Sequence, residues 1–206
     1  MIKGATFWDD REKYFVQTNN PTEEMLRKSL IEKRTGYLES CGPTSALNCL
    51  AALGYFVTIL TPGGYKPQPE EILTDFFNDP LNDREFERIR SGIQIANIPE
   101  NRVPQYYPYA VRTVFEAEAE FRWLKDWKEV TELLTKGSAI QLCLKSPGHY
   151  IAALAYDPEA DEIVYNDPWP ARSGLKNKGF NERMKKVEYE ANVEGYVIVY
   201  PKRVIA

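Results

Sequence analysis

Ser40-Cys41-Gly42-Pro43-Thr44-Ser45 sets one cysteine in a turn of small residues, and an apolar helix follows at once. Ala46, Leu47, Leu50, Ala51 and Leu53 recur at helical spacing. Pro43 fits the first turn, where its missing N–H is not needed. Gly54 is suited to stop the helix. Cys41 is therefore expected at or just before a helix N-terminus, where unpaired N–H groups and the macrodipole favour negative charge. Thiolate is the reactive form of cysteine, and helix N-termini lower thiol pKa. The stretch has the makings of a nucleophile. It also fits a buried packing cysteine, since free Cys is among the most buried residue types.

A chain of 206 residues is long enough for one good core and is expected to form one domain. With 43% hydrophobic and 27% charged residues the composition is that of a soluble globular protein. The net charge of −4 gives no electrostatic case for nucleic acid, and no basic run points to a membrane surface. Thirteen Tyr, nine Phe and four Trp fit a lined groove, with core packing the stronger expectation. No apolar run is long enough for a membrane span, and Met1 to Asp10 lacks the apolar core of a signal peptide. A cytoplasmic location is the simplest expectation.

Three cysteines make no disulfide framework. Cys41 and Cys49 are separated by about 12 Å along one expected helix, beyond the Cα separation of about 7 Å that a disulfide tolerates. Cys49 and Cys143 sit in apolar contexts and read as packing residues. His149 is the only histidine, which argues against a Cys/His zinc site and makes His149 the one partner available for Cys–His chemistry. No cofactor or metal is expected.

Along the chain, Lys13 to Thr18 has strand-like composition. Asn20 reads as a helix N-cap with Pro21 at the first position, and the helix runs from Pro21 to Lys33. Residues 34 to 40 connect it to the Cys41 helix. Tyr55 to Leu60 is β-rich and Thr61 to Pro67 is a loop. Short helices follow over Pro69 to Phe77 and Asp83 to Arg90, broken by a capped turn at Asn78-Asp79-Pro80. The proline-containing stretch from Gly92 to Tyr109 reads as a surface loop. Ala110 to Ala119 is helical in propensity, Glu120 to Leu124 a brief strand, and Asp126 to Lys136 a helix capped by Asp126 and stopped by Gly137. Ser138 to Leu144, His149 to Tyr156, Glu162 to Tyr165 and Gly195 to Tyr200 are expected strands. The polar turn Asp157 to Asp161 makes the second and third an antiparallel hairpin. Helices early and strands late argue for an α+β fold.

His149 opens its strand after Gly148, and Asp167 closes the next one. In an antiparallel hairpin the start of one strand lies beside the end of its neighbour, so the two are expected to touch. A carboxylate on Nδ1–H would leave Nε2 facing the thiol. An attacking thiolate, an imidazolium that protonates the leaving amine and a residue that fixes the ring complete the chemistry of acyl transfer.

Cys41-Gly42-Pro43-Thr44-Ser45-Ala46, then Gly148-His149-Tyr150, then Asn166-Asp167-Pro168-Trp169 resemble, in that order, the peptidase C39-like family of papain-like cysteine peptidases. Trp127 to Gly137 matches the helix that the family places before its first C-terminal strand. The likeness spans about residues 13 to 170. It implies a helical left half carrying Cys41 and a β right half carrying His149 and Asp167. The family usually sets an oxyanion-hole glutamine a few residues before the cysteine, and Thr35 to Ser40 contains none. Gln17, in Tyr14-Phe15-Val16-Gln17-Thr18, resembles that glutamine, with the helix from Pro21 to Lys33 inserted between. A surface or turn glutamine is the alternative. The Cys41 N–H would supply the second donor.

Three functions are compatible with these residues. The first is a thiol peptidase or amidase acting on a peptide or protein substrate. The second is a non-catalytic peptide-binding module that kept the fold. The third is acyl transfer to an amine, as in transglutaminase-like proteins. Substrate identity and oligomeric state are not written in the sequence.

Overall fold

The computed structural model describes residues 1–17, 27–28, 30–32, 40–55, 69–91, 103–124, 126–145, 148–172 and 174–201, with backbone alone at 195–198. After a two-residue strand, β1 (Lys3–Gly4), come the helices α1 (Cys41–Ala52), α2 (Pro69–Phe77), α3 (Asp83–Arg90) and α4 (Tyr107–Phe115). Then follow β2 (Glu120–Trp123), α5 (Trp127–Thr135), β3 (Ala139–Leu144), β4 (His149–Asp157), β5 (Glu162–Asn166), β6 (Glu182–Lys185), α6 (Lys186–Asn192) and β7 (Val193–Tyr200). The fold is α+β, helical in its N-terminal half and built on an antiparallel sheet in its C-terminal half.

The sheet runs β2-β7-β3-β4-β5-β6, and β1 pairs with the end of β4 that β3 does not reach. Both faces of its centre are covered. Ala139, Ala152, Leu154 and Tyr200 pack with α1, α2 and α4 on one side. Ile140, Leu142, Ile151 and Ile163 pack with α5 and α6 on the other. That double burial is why β3 and the start of β4 read as apolar runs rather than strict alternation. Helix α1 is the innermost helix, buried from Gly42 to Ala52. The aromatic surplus is largely core: Phe86 stacks on Tyr106 at 4.6 Å and Phe77 meets Tyr107 at 5.1 Å.

Several expectations are corrected. Of the expected strand Lys13 to Thr18, residues 13–17 form no strand and Thr18 lies outside the described residues; a 3-10 turn at Arg11–Lys13 leads into an irregular run. Helix α4 begins at Tyr107, inside the expected loop, because Pro104 and Pro108 occupy first-turn positions, where proline starts rather than breaks a helix. It ends at Phe115 rather than Ala119, since Glu116 turns left-handed at φ 53°. Strands β1 and β6 and helix α6 were not expected at all. Residues 92–102, 56–68 and 33–39, and most of the expected helix from Pro21 to Lys33, lie outside the described residues. Of that helix Arg27, Lys28 and Leu30 are described and helical.

Candidate active site

Cys41 is the first residue of α1, and Ser40 contributes the carbonyl that accepts the first helical bond, from Thr44 N–H at 2.9 Å. The Cys41 N–H is thus among the donors that a helix leaves without an internal acceptor. The first turn is tied down from the sheet. Gln141 of β3, buried, donates through Nε2 to the Gly42 carbonyl and to Ser45 Oγ, both at 2.7 Å. The cysteine therefore stands on a helix end that is fixed against the strand beside His149.

The β4–β5 hairpin does what its spacing requires. Ala152 pairs with Asn166, and one residue further on Asp167 reaches His149. Asp167 Oδ1 lies 2.7 Å from His149 Nε2, with His149 3% exposed and Asp167 fully buried. The same oxygen accepts the Trp169 N–H at 2.8 Å, and Oδ2 accepts Arg172 Nε at 2.5 Å. Cys41 is also close enough to His149 to favour its charged form. The expected assignment of ring nitrogens is reversed: the carboxylate takes Nε2, which leaves Nδ1 for the thiol. Asp167 sits one strand over, and the nitrogen that spans that gap is the one further from the backbone. The Trp169 ring covers the histidine edge-on at 6.1 Å, screening the pair from water on that side.

Burial alone would depress the His149 pKa, but the hydrogen bond to Asp167 and the nearby Cys41 outweigh it and raise the value to about 9. Burial pushes the Asp167 carboxyl up, and His149, the Trp169 N–H and Arg172 overcome that to leave it below its ordinary value. The raised His149 value adds stability that is fully present below the ordinary histidine pKa of about 6.5 and is lost as pH rises through about 9. Asp167 contributes above its ordinary pKa and its share is lost as pH falls through its lowered one. Thermal unfolding followed from pH 6 to 10 should show a drop of about 1–3 kcal/mol on the alkaline side. His149→Gln should flatten that limb; an unchanged limb in the variant would detach it from this histidine.

Residues 14–17 reach the Asp167 loop along an unexpected path. Asn48 of α1 accepts the Phe15 N–H at 2.8 Å and donates to the Phe15 carbonyl at 3.0 Å, making with its side chain the two bonds a neighbouring strand would make. Tyr14 donates its hydroxyl to the Asp167 carbonyl at 2.6 Å, and Gln17 N–H donates to the Pro168 carbonyl at 2.7 Å. Residues 14–17 are thus clasped between α1 and the loop that carries Asp167. Gln17 Oε1 is buried with no hydrogen-bond partner among the described residues.

The far side of this clasp is built by Glu182. Its buried carboxylate accepts the N–H groups of Lys176, Asn177 and Gly179 at 2.9, 2.6 and 3.0 Å. Gly179, at φ +85°, passes so close that a Cβ there would meet Tyr14 Oη at 2.2 Å and the Asp167 carbonyl at 2.4 Å. Gly179→Ala should cost more than about 1 kcal/mol by backbone strain and add displacement of the clasp. Urea unfolding measures it; a cost below a few tenths would mean the loop yields freely.

The family model described as "Peptidase_C39 like family" matches residues 12–196. The chain belongs to the peptidase C39-like family. Comparison with curated proteins gives no match. Among solved structures, one similar chain is the N-terminal peptidase C39 like domain of the toxin secretion ATP-binding protein from Vibrio parahaemolyticus. It has 12% identity and a TM-score of 0.36, covering 62% of this chain and 95% of that one. Another is a protein from Bacillus anthracis assigned as a C39-like peptidase. It has 13% identity and a TM-score of 0.33, covering 47% of this chain and 57% of that one. Likenesses this distant carry no argument here, and the assignment rests on the family model.

Within this C39-like chain the other cysteines are set apart from Cys41. All three are free thiols; Cys41 is half-buried, and Cys49 and Cys143 are buried. Burial raises the Cys49 thiol well above its ordinary value, and burial, followed by Glu194 and Cys41, pushes Cys143 up to about 12. No cluster of three metal-ligating side chains occurs among the described residues, and no helix among them is long and apolar enough to cross a membrane. Gln141, Asn48, Arg172 and Glu182 are the site-building residues that sequence reasoning missed. Each is an ordinary polar residue in the sequence, and only its partner gives it meaning.

Proposed function

We propose that the protein is a cysteine peptidase or amidase that hydrolyses a peptide-like bond through a Cys41 acyl-enzyme. The observation that carries this reading is the buried 2.7 Å pair of His149 and Asp167, with Cys41 at a helix start and close enough to favour the charged form of that ring. In this reading His149 takes the thiol proton, and the thiolate sulfur attacks the carbonyl carbon. The imidazolium returns the proton to the leaving amine, which departs and leaves a thioester on Cys41. His149 then takes a proton from water, whose oxygen attacks the thioester carbon; the C–S bond breaks, the carboxylic acid departs and the imidazolium returns its proton to the Cys41 sulfur. Asp167 stays ionised throughout and holds Nε2–H. The Cys41 N–H and the Gln17 amide are the proposed donors to the oxyanion. No cofactor enters, and the substrate is a peptide or protein.

The test is native-state labelling with a brief, low dose of iodoacetamide near pH 6, read by intact mass and peptide mapping. A histidine-paired thiol reacts there, whereas an ordinary one, with a pKa of about 8.5, is almost wholly protonated. One fast adduct on Cys41, with Cys49 and Cys143 reacting only on unfolding, is the expected result. Equal labelling of all three would sink the nucleophile and leave a peptide-binding module.

A further inference from the structure

Asp167 is served by more than the histidine. Its Oδ1 is shared by His149 Nε2 and the Trp169 N–H, and its Oδ2 is taken by Arg172 Nε at 2.5 Å. The loop closes on itself to make this happen, since Arg172 N–H donates to the Trp169 carbonyl at 3.0 Å. Arg172 is 22% exposed and forms part of the wall of a cavity of about 480 Å³ that it shares with Tyr165, Lys176 and Glu182. The peptidase chemistry proposed above makes no use of this guanidinium.

We infer that Arg172 is a positioning residue that shares the Asp167 carboxylate with His149 and so sets how tightly the ring proton is held. The inference rests on the peptidase reading. An acid that must give its proton to a leaving amine works best when its pKa is near the working pH. A buried carboxylate that faced the imidazolium alone would hold that proton more firmly, and a fixed positive charge on its second oxygen draws off part of that hold. Around the pair, α1 presents Cys41, the run at residues 14–17 presents Tyr14, the Asp167 loop presents Arg172, β5 presents Tyr165 and β6 presents Glu182. Arg172 is the cation among them that touches the carboxylate, while Glu182 is bonded to the backbone amides of its own loop.

Removing the charge and loosening the loop would move the same quantity in opposite directions. Without the guanidinium, Asp167 keeps two donors, His149 and the Trp169 N–H, so its orientation persists and the imidazolium gains. If Arg172 only braced the loop, its loss would free the carboxylate and let His149 fall back towards its ordinary value of about 6.5.

The measurement is an NMR titration of the imidazole ring in the full chain, unambiguous because His149 is the only histidine. Arg172→Gln should raise the His149 pKa by about half a unit to one unit, and Arg172→Lys, which keeps the charge, should leave it within a few tenths. A fall, or no movement, in Arg172→Gln would overturn the inference. So would equal behaviour of the Gln and Lys variants. Arg172→Met is the second neutral replacement, and failure of both neutral variants to fold would mark the ion pair as structural and also overturn it. The titration needs no turnover. If Cys41 in the wild type labels no faster than Cys143, the peptidase reading fails whatever the His149 titration shows.

Discussion

His149→Gln should lower kcat/KM by about 10²–10⁴ on any peptide that the wild type cleaves. His149 is the chain's single histidine, so no second imidazole can move in to replace it. Two losses combine in the variant. The thiol loses the base that ionises it, and the leaving amine loses the acid that protonates it. The first is seen without substrate: labelling of Cys41 near pH 6 should slow by an order of magnitude or more, towards the rate of an unassisted thiol with a pKa of about 8.5. The second appears only in turnover. Cys41→Ala should abolish hydrolysis outright and fixes the assay background. Gln is close enough in size to keep one hydrogen bond to Asp167, so the fold should survive, and a melting curve checks it. Turnover within threefold of wild type would remove His149 from the chemistry.

What the sequence made legible was local. The Cys41 helix was readable because its start, apolar spacing and stop all lie within fifteen residues, and the structure begins α1 at Cys41 and turns at Gly54 with φ +86°. The His149–Asp167 contact was readable because a hairpin makes strand start and strand end neighbours by topology alone. The direction in which the ring faces was not, since it depends on how far one strand stands from the next. Nor was the bracing. Asn48 finds Phe15 at a separation of 33 residues, and Gln141 finds Gly42 at 99. Nothing in either residue's neighbourhood announces the partner. Tyr14-Phe15-Val16 misled by composition: Tyr14 is extended as β-formers prefer, but the backbone groups of Phe15 pair with the Asn48 side chain rather than with a strand. Strand β6 was hidden for a different reason. Its inward residues are Glu182 and Met184, so the alternation that marks a half-buried strand carries a charge in one of its two apolar places. That glutamate is buried because it binds the loop beside the site.

Gln17→Ala should reduce turnover by about 10²–10³, the usual cost of one oxyanion donor, while labelling of Cys41 and thermal stability stay near wild type. Gln17 is 24 residues before Cys41, so the proposed role needs the fold to bring the two together. Asn48 and Cys41 are seven residues apart on one helix, hence on one stripe of its surface, about 10.5 Å from each other along the axis. Asn48 holds Phe15, and two residues further stands Gln17, whose N–H is bonded to Pro168 next to Asp167. We propose that the clasped run, tied to α1 at Asn48 and to the Asp167 loop at Pro168, sets the Gln17 amide towards the end of α1 where Cys41 stands. Loss of an amide that bonds only the transition state should appear in kcat with little change in KM. Asn48→Ala is the companion variant: it releases Phe15 and should lower turnover through the same glutamine while also costing stability. Near-normal kcat in Gln17→Ala would move the second donor to another group beside Cys41 and leave the clasp with a purely structural role.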